Sequence, residues 1–435
     1  MRVQVLSMPL VLRLFVVTVA ATQTVFSSPE ANELVPAVEC REREGLPNVV
    51  AKLRSGSLVR VAYLGGSITE QKGWRPKTLH WFRETFPKAR IEEIDAAIGG
   101  TGSDLGVCRL KHDVLDFQPD LLFVEFAVND GGTSPAQIYR CMEGIVRQTW
   151  KHNPETDICF VYTVAGNMLE TLQQGKFPRA ASAMEKIADH YGIPSIHMGV
   201  EVARLEKLGK LVFKGDKPKT DAEKAALGDR ILFSPDGVHP YIDTGHQLYL
   251  AAVVRSFEKM EAVGRVGPHA LGAPFVTDNW EAAKLVPLSR AQMSPGWQRL
   301  DATNQLAKAF GRRLPELWKA SEPGESITFR FRGTAVRIYD VLGPDCGQVA
   351  VAVDDQPAVV RPRFDAYSTY HRLAWLAVGD GLTDTIHKVT ITLEPGQPDK
   401  AKILSERAEK MDDPKRFDGT AWYAGAILLV GDLVD

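Results

Sequence analysis

The sequence alternates strand-like and helix-like segments from about residue 46 to residue 263. Short apolar runs at residues 58–64, 121–127 and 158–164 have the length and composition of buried strands. Longer segments with apolar residues at helical spacing separate them, as at residues 134–152. Strands alternating with helices predict right-handed βαβ units and a mainly parallel, three-layer α/β sheet. Ligands of such sheets bind beyond the carboxyl ends of the strands, so we expect the chemistry there.

The hydrophobic period changes to two beyond a segment rich in Gly and Pro at residues 264–275. Apolar and polar residues then alternate in short runs with turn residues between them, which predicts an all-β, jelly-roll-like sandwich at residues 276–435. We therefore expect an α/β domain at residues 29–263, a linker and the sandwich. The alternating apolar positions are Ile327, Phe329, Phe331, Val336, Ile338, Val349, Val351, Val353, Val389, Ile391 and Leu393.

Composition and charge narrow the possible partners. The 435 residues are 44% hydrophobic and 24% charged, with a formal net charge of -2. This balance argues against a nucleic-acid surface, which needs clustered positive charge, and no apolar run is long enough to predict a membrane-spanning helix. Residues 1–28 resemble a secretory signal, because Arg2 precedes an apolar run at residues 6–21. Arg13 interrupts that run, and a wrongly assigned start codon is the alternative. We expect export, to the periplasm or the medium.

The five cysteines are scattered along the chain and form no C-x-x-C motif. The sequence therefore predicts neither a zinc knuckle nor a thioredoxin-type redox site. Export permits a disulfide, but the spacing does not name a pair. Most of these cysteines are predicted to be buried thiols.

Ser67 is the first candidate for chemistry. The strand-like run at residues 58–64 ends at Gly65-Gly66 and delivers this serine just past its carboxyl end, where open α/β sheets place their ligands. The two glycines allow a tight turn and a close approach of substrate to the backbone. Gly-Gly-Ser also occurs in ordinary loops, so the interpretation depends on partners elsewhere in the chain.

Asp236 and His239 supply those partners within one short stretch, residues 234–240. On a loop, a spacing of three residues lets the Asp236 carboxylate accept a hydrogen bond from His239 Nδ1. His239 Nε2 is then left to take the proton of Ser67. The alternative reading of His239 is an ordinary loop histidine.

The ends of two other predicted strands offer hydrogen-bond donors for an oxyanion. The backbone N–H groups of Ser67 and Gly100, together with the side-chain amide of Asn129, form the predicted set. Gly99 is the alternative to Gly100. The alternative is that Gly99 and Gly100 only end a strand and that Asn129 only forms a turn. All four stretches follow successive α/β elements, however, and their joint occurrence favours acyl transfer by serine.

These four stretches resemble the sequence blocks of the SGNH (GDSL-type) hydrolase superfamily, in order and separation, over about residues 55–260. Two positions depart from the family pattern: Gly66 replaces an acid outside the triad, and Ala127 replaces a glycine, which we interpret as marks of a Gly-Gly-Ser subgroup. The matching blocks are Gly65-Gly66-Ser67-Ile68-Thr69, Ile98-Gly99-Gly100-Thr101-Gly102-Ser103, Ala127-Val128-Asn129-Asp130 and Asp236-Gly237-Val238-His239-Pro240.

The resemblance implies a flavodoxin-like α/β/α fold and ester hydrolysis through a covalent acyl-enzyme, with no metal or organic cofactor. An α/β-hydrolase is disfavoured because no G-x-S-x-G elbow surrounds any serine. A metal site formed by Asp236, His239 and His246 is a further alternative, but it competes with the triad for two of its three members and lacks a fourth ligand.

The predicted sandwich resembles the accessory β-domains of secreted SGNH carbohydrate esterases. Its run of aromatic and hydrogen-bonding residues, 364–372, contains Tyr367 and Arg372 as candidate glycan contacts; the alternative is that Phe364 and Tyr370 belong to the sandwich core. Trp74, seven residues after Ser67, either walls the acyl pocket or caps the first helix.

The sequence as a whole predicts a serine esterase, and most specifically a carbohydrate O-acetylesterase that acts on acetylated glycans. The alternatives are a lipid-directed esterase or lysophospholipase of the same fold, and a non-catalytic glycan-binding protein. The aperiodic, Lys- and Asp-rich segment at residues 209–228 is interpreted either as a lid or as a passive insertion. The particular glycan and the oligomeric state do not follow from the sequence.

Overall fold

The computed structural model describes residues 33–434, so the predicted signal segment at residues 1–28 lies outside the described residues. The α/β domain is built on a six-stranded sheet whose strand order is β1-β6-β5-β4-β2-β3. Strands β2 to β6 are parallel, and β1 pairs antiparallel with β6 at one edge. The strands are β1 (Cys40–Arg41), β2 (Leu58–Gly65), β3 (Arg90–Ala97), β4 (Leu121–Glu125), β5 (Asp157–Tyr162) and β6 (Ser195–His197).

Helices cover both faces of this sheet and give the predicted three layers. Helices α4, α5 and α7 pack side by side on one face, while α3, α8 and α10 pack together on the other. The ranges are α1 (Pro47–Ser55), α2 (Ser67–Glu70), α3 (Trp74–Thr85), α4 (Ser103–Asp113), α5 (Pro135–His152), α6 (Leu169–Gln173), α7 (Arg179–Tyr191), α8 (Gly199–Lys207), α9 (Asp221–Leu227) and α10 (Gly245–Met260).

The strand order places the site. The chain leaves β2 to form β3 on one side and returns to form β4 on the other, so the direction of winding reverses between β2 and β4. A crevice forms beyond the carboxyl ends of two such strands, because their following helices lie on opposite faces. Ser67 follows β2 and Asn129 follows β4, so both candidate residues lie at this crevice.

The segment at residues 209–228 is ordered, in contrast to the aperiodic loop that the sequence predicted. It contains the strand β7 (Leu211–Lys214) and the helix α9, and β7 pairs in parallel with β8 (Ile231–Ser234). A parallel pair needs a crossover connection, and α9 supplies it. Because β8 ends at Ser234, this small sheet supports the loop that carries Asp236 and His239.

The second domain is a curled antiparallel sheet of nine strands, as the period of two predicted. The predicted apolar positions lie in or against its core, among them Ile327, Phe329 and Phe331. The strands are β9 (Ala283–Pro287), β10 (Gln292–Met293), β11 (Gln298–Arg299), β12 (Trp318–Ala320), β13 (Ser326–Leu342), β14 (Gln348–Val353), β15 (Val359–Pro362), β16 (Arg372–Leu393) and β17 (Trp422–Val434), with helices α11 (Gln305–Phe310) and α12 (Lys400–Ser405).

Two facing glycines bend the longest strands of this sheet. Gly333 of β13 pairs with Gly431 of β17 at a register shift, and both have positive φ, 156° and 140°. A Cβ on either residue would lie 2.1 Å from a carbonyl oxygen of the opposite strand. Only glycine permits this close crossing, and the resulting bulge curls the sheet.

One face of the curled sheet packs on the α/β domain. Tyr339, Val341 and Leu428 of the second domain belong to the same buried cluster as Leu105 and Val107 of α4. The two domains therefore share one hydrophobic core.

All five cysteines lie within residues 33–434 and form no disulfide there; Cys108, Cys141, Cys159 and Cys346 are buried, and Cys40 is partly so. Burial raises the pKa of the Cys108 thiol to about 12. Buried thiols of this kind are poor nucleophiles. Within residues 33–434, no helix is both long and apolar enough to cross a membrane.

Candidate active site

Ser67 is the first residue of α2, immediately beyond β2. Gly66 is extended, with φ -93° and ψ -157°, and turns the chain from the strand into the short helix. The Ser67 side chain is thereby presented at the open end of the sheet, where it is only partly buried.

His239 and Asp236 continue a hydrogen-bonded chain from this serine. The Ser67 hydroxyl donates to His239 Nε2 at 2.8 Å, and His239 Nδ1 donates to Asp236 Oδ2 at 2.7 Å. A base held in one tautomer by a carboxylate is the arrangement that activates a serine for acyl transfer. The spacing of three residues gives the geometry anticipated from the sequence.

Asp236 is held as a carboxylate by its own loop. Although burial works to raise its pKa, hydrogen bonds from the His239 ring, the backbone N–H groups of His239 and Val238, and the Ser234 hydroxyl hold that pKa well below its ordinary value. Both backbone bonds to Oδ1 measure 2.8 Å. Gly237, with φ +85°, makes the tight turn possible. Asp236 therefore stays ionised across the working pH range and keeps the proton on His239 Nδ1.

Gly99 and Gly100, which follow β3, differ in the hydrogen bonding of their backbone N–H groups. The Gly99 N–H donates to Glu70 Oε2 at 3.0 Å and is thereby occupied. Gly100 has φ +72°, lines the cleft beside Ser67, and a Cβ there would meet nothing within 4 Å. The structure therefore favours Gly100 over Gly99 as the donor available to an oxyanion.

Asn129 lies directly against the nucleophile turn. A Cβ built on Gly66 would lie 2.0 Å from Asn129 Oδ1 and 2.7 Å from its Cγ. Gly66, the departure from the family pattern, thus makes the space that the Asn129 amide occupies. The structure brings this amide next to the residue that precedes Ser67, and its role as an oxyanion donor stays a prediction.

Glu125, the last residue of β4, lies beneath the turn and had no role in the sequence analysis. It is 1% exposed, and its carboxylate accepts hydrogen bonds from the Thr69 hydroxyl at 2.9 Å and the Thr163 hydroxyl at 2.7 Å. Burial raises the pKa of the Glu125 carboxyl. The side chain ties the ends of β2, β4 and β5 together below Ser67.

The cleft over Ser67 is formed by both domains and has a volume of about 670 Å³. Tyr367 and Arg372, both candidates from the sequence, lie on its wall. The Tyr367 hydroxyl accepts a hydrogen bond from Arg407 at 2.7 Å, and the Arg372 guanidinium forms an ion pair with Asp365. The second domain therefore contributes directly to the space in front of the nucleophile.

The prediction that Trp74 walls the acyl pocket is wrong. Trp74 is 0% exposed and packs edge-on against Tyr63 and Phe123, at centroid distances of 5.2 and 5.8 Å. It begins α3, as the alternative anticipated, but its ring points into the core rather than into the cleft.

Three further cleft residues were not among the named site candidates, although Tyr370 lies in the run 364–372 that the sequence analysis offered as a glycan contact. Tyr370 was assigned to the sandwich core as one alternative, yet it is 56% exposed and lines the cleft. Phe310 ends α11 and reaches the cleft from a segment that carries no motif. Glu70, three residues after Ser67, had a local signal of its own, since it lies on the same short helix.

His246 is engaged apart from the triad. Its Nδ1 accepts from the Trp74 backbone N–H and its Nε2 donates to Gln71, each at 3.0 Å. Burial lowers the pKa of His246 to about 4, so the ring is neutral. Among residues 33–434, no three His, Cys, Asp or Glu side chains are grouped so that they could hold a metal ion. The alternative grouping of Asp236, His239 and His246 is therefore not formed.

Comparison with known proteins agrees with this geometry. Residues 63–248 match the sequence model of the GDSL-like Lipase/Acylhydrolase family. The chain is similar in structure to a two-domain esterase (CEX) active on acetylated mannans and co-crystallised with mannopentaose, with a TM-score of 0.69, 21% identity, and coverage of 91% of this chain and 97% of that chain. A second structure of such an esterase gives a TM-score of 0.66 at 20% identity, covering 90% and 99%. The comparison with curated proteins found no match. At these identities the structural similarity establishes the two-domain fold.

Proposed function

We propose that the protein is a carbohydrate O-acetylesterase. The match of residues 63–248 to the GDSL-like Lipase/Acylhydrolase family supports ester hydrolysis. The observation that carries the proposal is the cleft over Ser67, which the second domain lines with Tyr367, Tyr370 and Arg372. Aromatic faces stack on sugar rings, and charged or hydroxyl groups bind sugar hydroxyls. The similarity in fold to an esterase active on acetylated mannans supports the same substrate class.

The proposed reaction follows from the hydrogen-bonded chain. His239 Nε2 removes the Ser67 proton as Oγ attacks the acetyl carbonyl carbon, and a tetrahedral oxyanion forms. The N–H groups of Ser67 and Gly100 and the Asn129 amide hold the oxyanion. His239 then protonates the departing sugar oxygen, which leaves an acetyl-enzyme. Water, deprotonated by His239, attacks the acetyl carbonyl and releases acetate and free Ser67.

An open cleft suits a glycan better than a long acyl chain. The walls carry the charged side chains of Glu70, Asp365 and Arg372 among apolar ones such as Ile98 and Phe310. Burying an alkyl chain against charged groups leaves them without their water. Export, which residues 1–28 lead us to propose, fits a polymeric substrate that remains outside the cell.

Hydrolysis of p-nitrophenyl acetate, butyrate and octanoate, together with acetate release from acetylated mannan and xylan oligosaccharides, tests the proposal. We expect wild-type activity to fall steeply with chain length and to include the oligosaccharides. Ser67→Ala is expected to lower kcat by about 10³ or more, because the triad and its donors act as a unit. Activity that rises with chain length would instead indicate a lipid esterase.

Tyr370→Ala separates glycan recognition from chemistry. We expect it to lower kcat/KM on oligosaccharides and leave p-nitrophenyl acetate turnover near the wild-type value, because Tyr370 lines the cleft but belongs neither to the triad nor to the predicted oxyanion donors. Val359→Ala, an exposed residue on β15 of the same domain, serves as the matched control. Glycan binding without any Ser67-dependent acetate release would mean a non-catalytic binding protein.

A further inference from the structure

The second domain also contacts the strand that leads to the oxyanion glycine. β3 lies at the edge of the six-stranded sheet, so one side of it has no neighbouring strand within the described chain. Exposed edges leave backbone carbonyls without partners. Here Arg313 of the second domain reaches that edge, and its Nη1 and Nη2 donate to the carbonyl oxygens of Asp95 and Ala97 at 3.0 and 2.7 Å.

The geometry of a strand explains why one guanidinium serves both carbonyls. Residues two apart in a strand direct their carbonyls to the same side, so Asp95 and Ala97 face Arg313 together. The fork of an arginine matches two such acceptors, whereas a lysine presents one compact charge. We name this contact between Arg313 and the carbonyls of Asp95 and Ala97 the interdomain brace.

The brace is set in a buried network. Arg109 of α4 donates to the intervening carbonyl, that of Ala96, at 2.6 Å and pairs with Asp113 at 2.7 Å. The side chain of Arg313 is 12% exposed and lies 3.8 Å from the same Asp113 carboxylate. Charges this far from water are held in one geometry, because breaking one contact leaves the others unpaired.

Ala97 ends β3 and is followed at once by the oxyanion loop, residues 98–101. The first domain holds this loop at two points: Ile98 N–H donates to Gly65 and Gly99 N–H to Glu70, each at 3.0 Å. The Thr101 hydroxyl closes the loop on itself by donating to the Ile98 carbonyl at 2.8 Å. The carbonyl of Ala97, where the loop begins, is held from the second domain. The Gly100 N–H therefore takes its position from both domains.

We propose that Arg313 is a positioning residue for the esterase reaction: through the interdomain brace, the second domain sets the oxyanion loop and is needed even for small esters that never touch a glycan-binding surface. Phe310, three residues earlier, lines the cleft, and Leu314, the next residue, is 1% exposed and packs in the shared core. The segment that carries Arg313 is thus rigid enough to transmit this position. The inference rests on the proposed function, which gives the Gly100 N–H its role.

Arg313→Met removes the donor to the Ala97 carbonyl and keeps the length of the side chain. The Asp95 carbonyl keeps one donor, because Arg312 also donates to it. We expect kcat for p-nitrophenyl acetate to fall about 10- to 100-fold with KM changed less than about threefold, since a small displacement of a catalytic donor costs rate rather than binding. Arg313→Lys, which keeps the charge and one donor, is expected to lie between. The control is Arg147→Met, which removes another well-buried arginine whose partners, Glu281 and Tyr191, lie on other elements.

Amide hydrogen exchange of the same variants reports the loop without any turnover. We expect faster exchange confined to residues 96–102 in Arg313→Met and none there in Arg147→Met. Unchanged exchange at residues 96–102 together with a kcat within twofold of wild type would overturn the brace, as would an equal loss of kcat in Arg147→Met. If Arg313→Met does not fold, Arg313→Lys decides by the same readouts. If the wild type shows no Ser67-dependent turnover, the proposed function is refuted. Amide hydrogen exchange at residues 96–102 then still tests whether the interdomain brace holds the loop.

Discussion

At the scale of single residues, the site depends on the lack of a side chain at Gly66. The Asn129 amide occupies the volume where a side chain at Gly66 would begin, 2.0 Å from the ideal Cβ position. An acid at this position, as in the general family pattern, would require Asn129 to lie elsewhere. The Gly-Gly-Ser turn and the placement of Asn129 are therefore one feature, and a substitution at Gly66 tests the donor role of Asn129 without touching the triad.

Gly66→Ala is expected to lower kcat about 10²-fold on p-nitrophenyl acetate, the usual cost of losing one oxyanion donor. The backbone at Gly66 has φ -93°, which alanine adopts without strain, so the added methyl acts through its collision with Asn129. Steady-state kinetics of Gly66→Ala, Asn129→Ala and the double variant measure the coupling. The double variant should be no slower than Asn129→Ala alone. A wild-type kcat in Gly66→Ala, or fully additive losses, would separate the two residues.

At the scale of elements, Asp130 links the loop after β4 to the amino terminus of α4. Its Oδ1 accepts a hydrogen bond from the Ser103 backbone N–H at 3.1 Å, where a carboxylate is favoured by the helix dipole. Its side chain is nevertheless 2% exposed, and Oδ2 has no hydrogen-bond partner among residues 33–434. Burial outweighs the bonds from Ser103 and raises the pKa of Asp130 to about 7.

Because the pKa of Asp130 is raised, we expect this residue to lower the free energy of unfolding at high pH and Asp130→Asn to remove that loss. Between about pH 4 and pH 7, native Asp130 keeps a proton that the unfolded chain has released, so its contribution to the free energy of unfolding falls as the pH rises. Asparagine keeps the acceptor for Ser103 and carries no charge. Urea unfolding should show little difference near pH 4.5 and a gain of about 2–4 kcal/mol for the variant at pH 8. A difference that does not change with pH would contradict the assignment.

The elements also show which parts of the fold and site were predictable. β2, β4 and β5 could be read from continuous apolar runs because both their faces are buried. Asp236 and His239 were found because their contact is local, three residues on one loop. The helix α9 was missed because it has no buried residue and so no apolar period. Phe310 carries no local signal, since only the packing of the two domains brings it to the cleft.

At the scale of the whole molecule, the two domains behave as one folded unit. Arg337 of the second domain lies between the rings of Trp280 and Trp375, 4.7 and 4.6 Å from their centroids, and reaches Asp104 of α4 at 3.9 Å. The apolar residues around it belong to the core of the first domain. The second domain also has a separate core of its own, but the shared cluster joins it to the first domain, although the change of period at residue 264 marks the two as separate in the sequence.

A shared core predicts a single cooperative unfolding transition. Scanning calorimetry of the full chain should give one endotherm whose calorimetric and van't Hoff enthalpies agree, because exposing the interface removes burial from both domains at once. A chain ended at residue 263 should lose solubility, since the face of α4 that now contacts β9 and β17 would be exposed as an apolar patch. Two separate endotherms, or a soluble and fully active shortened chain, would show that the domains fold independently and that the cleft is assembled only after each is complete.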